Sequence, residues 1–304
     1  MRIPIPMLHR LADTYEVEIP FDAPDIYTVI NSFVDELSLE AKKEILSQYG
    51  DAGRASSFVF KSREKTPSIQ TVYPKARTLL DAEPESKFWE HYPYIDDVEI
   101  DHATRTLRVR FHYLLGSVSL IDQETGRPRQ HRRYWRGVVV YRPGSKLLEV
   151  RTKYRSMARR MSARVPAYLG LDPFLSLNFM DPEMNQKFIA WITSLNSATI
   201  ELPISEVSGS LIITARKGMD LRTAKRYREE LKYGRLRHGH VTIERKKGHK
   251  VNFHIYFRQC HKKYTLFSSE EDIEYIVNAL EKISEGYGFA KPERILAEFF
   301  DKKT

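Results

Sequence analysis

The sequence predicts an α+β protein in which an N-terminal helical module is followed by two antiparallel β-rich lobes backed by helices. Three observations support this class. Helix spacing and capping signals dominate residues 1–95, whereas residues 96–200 and 201–304 each contain segments in which apolar and polar side chains alternate. Tight turn signals separate the alternating segments, which is typical of antiparallel strands. We therefore expect three structural segments with these boundaries.

The N-terminal segment is acidic and predicts three helices. Pro24 is expected to open a helix that ends near Leu37, and Ser38 to cap a second helix over 39–49. A third helix, rich in Lys and Arg, is expected over 53–64. Such a module is either helix-turn-helix-like or a surface for protein contact.

The middle segment predicts a basic antiparallel meander with one core face and one basic face exposed to solvent. Its strands are expected over 105–113, 132–141 and 147–154. An Arg-rich helix is expected to follow them. Asp181 then has the position of a helix cap, with Pro182 in the first turn and the helix end near Leu195.

The C-terminal segment predicts the element order β-α-β-β-β-α. The expected elements are a strand over 209–216, a helix from Asp220 to Leu231, a hairpin of 240–246 and 250–259, a strand over 264–268 and a helix from Ser269 to Glu285. Ser269 and Asp272 have the spacing of a capping box. Pro292 is expected to begin a last short helix.

Composition excludes several classes of site. Cys260 is the only cysteine, so an intrachain disulfide and a cysteine-rich zinc site are impossible. No run approaches the roughly 20 apolar residues that span a bilayer, and the start lacks the apolar core of a signal peptide. We expect a soluble intracellular protein, cytoplasmic or nuclear if eukaryotic, without membrane contact.

Positive charge is concentrated in two blocks of the sequence. Residues 101–170 carry 16 Lys and Arg against 4 Asp and Glu, and residues 216–263 carry the same numbers, while the chain as a whole has a net charge of +9. A surface that serves solubility alone mixes the two signs. Two concentrated blocks indicate a polyanionic partner, most simply nucleic acid.

The predicted nucleic-acid contacts are cationic or imidazole side chains of these two blocks. Those of the first block lie on the basic sheet face and the helix after it: Arg108, Arg110, His112, Arg132, Arg133, Arg136, Arg151, Lys153, Arg155 and Arg159. Those of the second lie on a helix, the following strand and a hairpin tip: Arg222, Lys225, Arg226, Arg235, Arg237, Lys246, Lys247, Lys250 and Arg258. Together they are expected to hold the phosphate backbone.

Four histidines near Cys260 have the residue types of a metal site: His238, His240, His254 and His261. Their spacing matches no established ligand pattern, and no Asp or Glu completes the set locally. We therefore interpret them as part of a basic binding face and expect neither a metal nor a cofactor.

A metal-dependent nuclease is one alternative. Acidic residues at 96–101 precede the first basic strand, and Glu149 stands two residues before Arg151, where a nuclease commonly has lysine. The sequence contains no Gly-rich phosphate loop, GxSxG, HExxH or dinucleotide fingerprint. A catalytic role is therefore the weaker prediction, and we assign no catalytic residue.

The predicted function is non-enzymatic binding of nucleic acid in a basic groove formed by the two β-rich lobes. DNA is preferred over RNA because no RNA-binding motif, such as the aromatic pair of an RRM strand, is evident. The acidic N-terminal module is expected to contact a protein partner or to self-associate. A second alternative is a scaffold protein whose basic surface meets an acidic protein.

Overall fold

A computed structural model describes residues 5–19, 26–52, 56–81, 92–102, 104–121, 127–202, 209–214, 219–246, 248–264 and 268–285. These residues form helices and an eleven-stranded antiparallel sheet. The predicted α+β class is confirmed.

The helices are α1 (Ile5–Tyr15), α2 (Ile26–Glu36), α3 (Leu39–Tyr49), α4 (Ile69–Arg77), α5 (Arg155–Leu169), α6 (Pro182–Trp191), α7 (Arg228–Tyr233) and α8 (Glu270–Ser284). The strands are β1 (Ser56–Lys61), β2 (Tyr94–Asp101), β3 (Thr106–Ile121), β4 (Pro128–Tyr141), β5 (Leu147–Arg151), β6 (Leu175–Ser176), β7 (Ser194–Leu202), β8 (Gly209–Thr214), β9 (Arg235–Lys246), β10 (His249–Tyr256) and β11 (His261–Tyr264).

The strands of the two β-rich segments belong to one continuous sheet. Its order is β2-β3-β4-β5-β1-β11-β10-β9-β7-β8, with β6 paired to β1 off this path. Strand β1 joins the two halves, because Ser57 lies opposite Arg151 of β5 on one side and opposite Lys262 of β11 on the other. Residues from both charge blocks therefore share the surfaces of a single sheet.

Two hydrophobic cores lie on opposite faces of this sheet. Helices α4 and α5 pack on the half formed by β2 to β5, around side chains such as Val109 and Val150. Helices α6 and α8 pack on the half formed by β7, β9 and β10, around side chains such as Phe253. Phe58 and Val59, adjacent in β1, belong to different cores, and adjacent strand residues point to opposite faces.

The N-terminal helices α1 to α3 pack around a third cluster that includes Leu8, Phe33 and Ile45. The Ser38 hydroxyl accepts a hydrogen bond from the Ala41 amide and caps α3, as predicted. The chain leaving α3 brings Asp51 to the sheet. Helix α1 is not predicted from the sequence.

The prediction of a basic helix over 53–64 is wrong, since residues Ser56–Lys61 form β1. Four consecutive residues of this strand are buried. Both faces of a central strand are covered, so its sequence does not alternate between apolar and polar residues. The basic third helix on which the helix-turn-helix interpretation depends is therefore a strand.

Two predicted helices are shorter than expected. The helix from Asp181 begins as predicted but ends at Trp191, because Leu195 is buried in β7. The helix expected from Asp220 to Leu231 is divided into two 3-10 turns, Leu221–Thr223 and Lys225–Tyr227, followed by α7.

The remaining C-terminal elements follow the predicted order. The strand predicted over 264–268 is misplaced, since β11 spans His261–Tyr264 and residues 265–267 lie outside the described residues. The capping box of α8 is confirmed, since the Ser269 hydroxyl accepts from the Asp272 amide and the Asp272 carboxylate accepts from the Ser269 amide. The helix expected after Pro292 lies outside the described residues. None of the helices within the described ranges is long and apolar enough to cross a bilayer.

Gly137 is the position in β4 where packing leaves no room for a side chain. A Cβ there would lie 2.5 Å from Cζ of Phe111 and 2.7 Å from the carbonyl oxygen of Arg151. Gly137→Ala should lower the free energy of unfolding by about 1–3 kcal/mol, measured by urea denaturation. Gly239→Ala is the control, because its nearest atom is a Leu195 methyl at 3.3 Å. Equal losses in the two variants would contradict this account.

Candidate nucleic-acid interface

The predicted basic face of β3 to β5 is in part a buried ion network. Arg108 and Arg151 are only 3% and 2% exposed, so their predicted place on a solvent face is wrong. The Arg108 guanidinium lies 3.1 Å from Asp51, 2.8 Å from Asp101 and 3.0 Å from Glu270. Glu270, the first residue of α8, and Asp51, two residues after α3, thus cover Arg108.

Glu149 lies at the centre of the network and is fully buried. Its carboxylate accepts a hydrogen bond from the Ser57 hydroxyl and lies 2.9 Å from Arg142, 3.2 Å from Arg151 and 3.8 Å from Lys262. Burial alone would raise the pKa of this carboxyl, but Arg151, Lys262 and Arg142 outweigh it and hold the pKa of Glu149 well below its usual value. Glu149 is therefore a structural anion in the folded chain.

Arg110 and His112, although partly exposed, are also paired with acids. The Arg110 guanidinium contacts Asp51 at 3.0 Å, Asp97 at 2.8 Å and Glu99 at 2.5 Å. His112 bonds to Asp96. The positive charge of Arg110 is balanced locally, because the acidic residues before β3 form the neighbouring strand β2.

Arg222 and Arg237 of the second block are paired as well. The Arg222 side chain bonds to the Asp220 carboxylate at 2.6 Å and to the Ile192 carbonyl at 2.6 Å, so it fixes the turn before α7. Arg237 lies 2.7 Å from Glu201. Lys225, Arg226, Arg235, Lys250 and Arg258 are exposed. Lys247 and the side chain of Lys246 lie outside the described residues.

Strands β3 and β4 continue beyond the sheet as a two-stranded extension, here called the ribbon (residues 113–121 and 128–137). Pairing of β2 with β3 begins at Tyr94 opposite His112, and pairing of β5 with β4 ends at Val138 opposite Arg151. Past these positions, among the described residues, β3 and β4 pair only with each other, to Ile121 opposite Pro128. At about 3.3 Å per residue the ribbon extends for roughly 30 Å.

The ribbon carries the unbalanced charge of the first block. Arg132, Arg133 and Arg136 are exposed, and none of the three has an ion pair within the described ranges. They flank Tyr134 and Trp135, which are 50% and 37% exposed. Sequence reasoning predicts these arginines but misses the two rings between them, although their placement in the Arg-rich run is a visible signal of nucleic-acid contact.

Further cations lie at the base of the ribbon. The Lys153 ammonium is 5.4 Å from the ring centre of Trp135 and 5.2 Å from that of Tyr154. Arg155 and Arg159, both partly exposed, follow in the first turns of α5. This side of the ribbon is therefore aromatic and cationic, and it faces the same side of the sheet as Tyr113 and Phe58.

The predicted histidines come together on the same side of the sheet, where with Tyr256 they form a surface here called the histidine face (His238, His240, His254, Tyr256 and His261). Its rings are nearly parallel, and neighbouring ring centres are 4.4–5.5 Å apart across β9, β10 and β11. The row ends where His261 stacks on Phe58 at 4.2 Å. Helices α6 and α8 pack on the opposite face of these strands.

The chemistry of the histidine face is that of neutral imidazoles. Burial lowers the pKa of His238, His240 and His254, and burial together with nearby cations lowers the pKa of His261 to about 4. Within the described residues, no three His, Cys, Asp or Glu side chains converge as metal ligands. At pH 7 the face therefore presents polar rings without charge.

Comparison with known proteins adds no assignment. No protein-family model matches the chain, and no curated protein has significant sequence similarity to it. The function has to be argued from the geometry and charge of the sites themselves.

Removing the central anion should destabilise the fold. Glu149→Gln leaves buried cations without their partner and should lower the free energy of unfolding at pH 7 by about 3–5 kcal/mol. Because the folded-state pKa of Glu149 is depressed from 4.5, its contribution is complete above that pH and is lost as the pH falls further. The difference between wild type and variant should therefore shrink below pH 4.5.

Urea denaturation across pH 3–7 measures this difference. Glu183→Gln is the control, since Glu183 is 69% exposed and its ion pair with Lys187, one turn along α6, lies at the surface. That variant should change stability by less than about 1 kcal/mol. A Glu149→Gln variant as stable as the control would show that the network contributes nothing net.

Proposed function

We propose that the protein binds nucleic acid, DNA in preference to RNA, and that the ribbon makes the main contact with the phosphate backbone. The observation that supports this proposal is the contrast between the two sets of arginines in the first block. Arg108, Arg110 and Arg151 are neutralised by acids, whereas Arg132, Arg133 and Arg136 are exposed and have no ion pair in the described part of the chain.

The shape of the ribbon suits a groove of duplex DNA. The major groove of B-DNA is about 12 Å wide and accepts a two-stranded β-ribbon, whereas the deep and narrow major groove of A-form RNA does not. Alternation along β4 directs Arg132 and Arg136 to one side and Arg133 to the other. The ribbon can therefore reach phosphates on both walls of a groove.

This proposal places the nucleic-acid contact on the ribbon, whereas the sequence predicts it in a groove between two lobes. Arg108 and Arg151 face the interior of the sheet assembly, so exchanging them for Glu would disrupt the fold rather than test binding. Exposed cations of the first block lie on the ribbon and, at its base, at Lys153. Those of the second block are Lys225, Arg226, Arg235, Lys250 and Arg258.

The alternatives receive less support from the described residues. Glu149, which the nuclease interpretation needs as a metal ligand, is buried among three cations. A divalent cation is not stabilised at such a position. An acidic protein would meet the same exposed arginines as DNA, so binding measurements have to separate the two partners.

Replacing the ribbon arginines should weaken DNA binding and its salt dependence together. For Arg132→Ala/Arg133→Ala/Arg136→Ala we expect weaker binding of a 20-base-pair duplex, with the slope of log K against log salt reduced by about 2–3, since each phosphate contact contributes about 0.9. Fluorescence anisotropy between 50 and 300 mM NaCl, with and without Mg²⁺, measures both quantities.

The matched control is Lys43→Ala/Lys75→Ala/Lys282→Ala, which removes three exposed cations from α3, α4 and α8. The proposal fails if both triple variants change the slope equally or if the wild type does not bind the duplex at 50 mM salt. DNA cleavage that depends on Mg²⁺ would support the nuclease instead. Binding to a poly-glutamate chain but not to DNA would support an acidic protein partner.

A further inference from the structure

We propose that an aromatic strip at the base of the ribbon (Tyr94, His112 and Tyr134) stacks on unpaired bases, so that the preferred ligand is duplex DNA with a single-stranded extension. The inference rests on the proposed function, because it names the form of nucleic acid that the ribbon arginines would hold. It is carried by the exposure of the two tyrosine rings, by their order across three strands and by the arginines beside them.

The aromatic strip crosses three neighbouring strands where the ribbon joins the sheet. Tyr94 of β2 lies opposite His112 of β3, and His112 lies opposite Arg136 of β4. Tyr134 is two residues before Arg136, and alternate residues of a strand share a face, so Tyr134 lies on the same face as Tyr94 and His112. The strand register therefore brings the three rings together on one surface.

The rings of the aromatic strip contact one another and still expose much of their surface. The ring centres of Tyr94 and His112 are 5.3 Å apart with planes inclined by 16°, and those of His112 and Tyr134 are 5.4 Å apart with planes inclined by 81°. Tyr94 also has the ring of Tyr92 at 6.1 Å, with planes inclined by 76°. With these neighbours in place, Tyr94 and Tyr134 are 48% and 50% exposed. A large part of each tyrosine is therefore accessible to a planar ligand.

Cations that can hold phosphates lie beside the aromatic strip. Arg132, Tyr134 and Arg136 follow one another on one face of β4, about 7 Å apart, so an exposed ring lies between two exposed guanidinium groups. Proteins that bind single strands combine cations along the backbone with aromatic rings on which successive bases stack. The face that carries the strip has both features of such a surface.

The acids of β2 next to the aromatic strip have partners within the protein. Asp96 bonds to the His112 ring, and the carboxylates of Asp97 and Glu99 lie 2.8 Å and 2.5 Å from the Arg110 guanidinium. These acids therefore act on Arg110 and His112 rather than on the arginines of the ribbon. A phosphate beside the strip would meet the ribbon arginines.

Accessible aromatic rings select for unpaired bases. Within a duplex the faces of each base are covered by the neighbouring base pairs, so an aromatic side chain stacks on a base that has left the helix or on one in a single strand. The opposite face of the ribbon offers less for stacking, because the Lys153 ammonium lies over the Trp135 ring, 5.4 Å from its centre. A duplex with a single-stranded extension can use the ribbon and the strip at once.

A comparison of three DNA ligands isolates the contribution of the bases. The 20-base-pair duplex is used blunt, with a tail of four thymidines and with a tail of four abasic sites, each tail being placed on the 3′ end and on the 5′ end in turn. The two tails have the same phosphates, but only the first has bases. For one of the two ends we expect the thymidine tail to be bound about tenfold more tightly than the abasic tail, within the range that stacking on an aromatic ring supplies. Fluorescence anisotropy at 50 mM salt measures the three dissociation constants.

The test variant is Tyr94→Leu/Tyr134→Leu, which keeps an apolar side chain at both positions and removes the rings. It should bind the blunt duplex like the wild type and prefer the thymidine tail by less than about twofold. Tyr94→Gln/Tyr134→Gln takes its place if circular dichroism shows that the leucine variant is misfolded. Tyr94→Phe/Tyr134→Phe keeps both rings and should keep the preference. So should the control Tyr168→Leu/Tyr233→Leu, which replaces exposed tyrosines of α5 and α7.

The outcomes separate this inference from the proposed function. If the wild type binds the blunt duplex but does not distinguish the thymidine tail from the abasic tail, the inference is wrong while binding through the ribbon stands. A leucine variant that keeps the wild-type preference for thymidine would overturn the inference in the same way. If the wild type binds the thymidine-tailed duplex but not the blunt one, the inference stands and the duplex contact of the ribbon fails. If none of the three ligands is bound at 50 mM salt, both proposals are wrong.

Discussion

The ion pairs of the buried Glu149 carboxylate are the interaction on which the arrangement of the sheet depends. From β5 the carboxylate contacts Ser57 of β1, Arg142 after β4 and Lys262 of β11, and so it links the two halves of the sheet at their junction. Through Arg151 and Glu270 the network continues to α8, and through Arg108 it reaches Asp51 in the segment after α3. Burying these ions costs hydration free energy, which is recovered only if every charge keeps its partner. The network therefore ties strand register and helix placement to one another.

The ion network around Glu149 also determines which cations are accessible to a polyanionic ligand. Net charge along the sequence counts Arg108 and Arg151 with Arg132 and Arg133, yet the first two neutralise internal acids and the last two face solvent. An excess of positive charge in a sequence block is thus the sum of a structural part and a surface part. Only the second part can produce a salt-dependent affinity for a polyanion. In the first block this surface part includes the three ribbon arginines, Arg132, Arg133 and Arg136.

Local signals explain what could be predicted from the sequence. The caps at Ser38, Asp181 and Ser269 are short-range patterns, and each is present in the structure. Alternation in β3 and β10 reveals two faces, but it does not reveal what covers them. Arg108 is covered by Asp51 and Glu270, which are 57 and 162 positions away. The central position of β1 is likewise a long-range result, because its buried run has neither strand alternation nor helical spacing.

The ribbon and the histidine face differ in how their charge is maintained. The ribbon arginines keep their charge throughout the physiological pH range, because a guanidinium does not lose its proton there. The imidazoles of the histidine face are neutral at pH 7, since burial and mutual proximity oppose their protonation. Protonation would place charge on rings of which three, those of His238, His240 and His261, have a buried Nε2 atom without a hydrogen-bond partner among the described residues. An electrostatic contact with a polyanion would therefore depend on the guanidinium groups of the ribbon. The affinity of such a contact would fall with rising salt and would hardly change between pH 5 and 8.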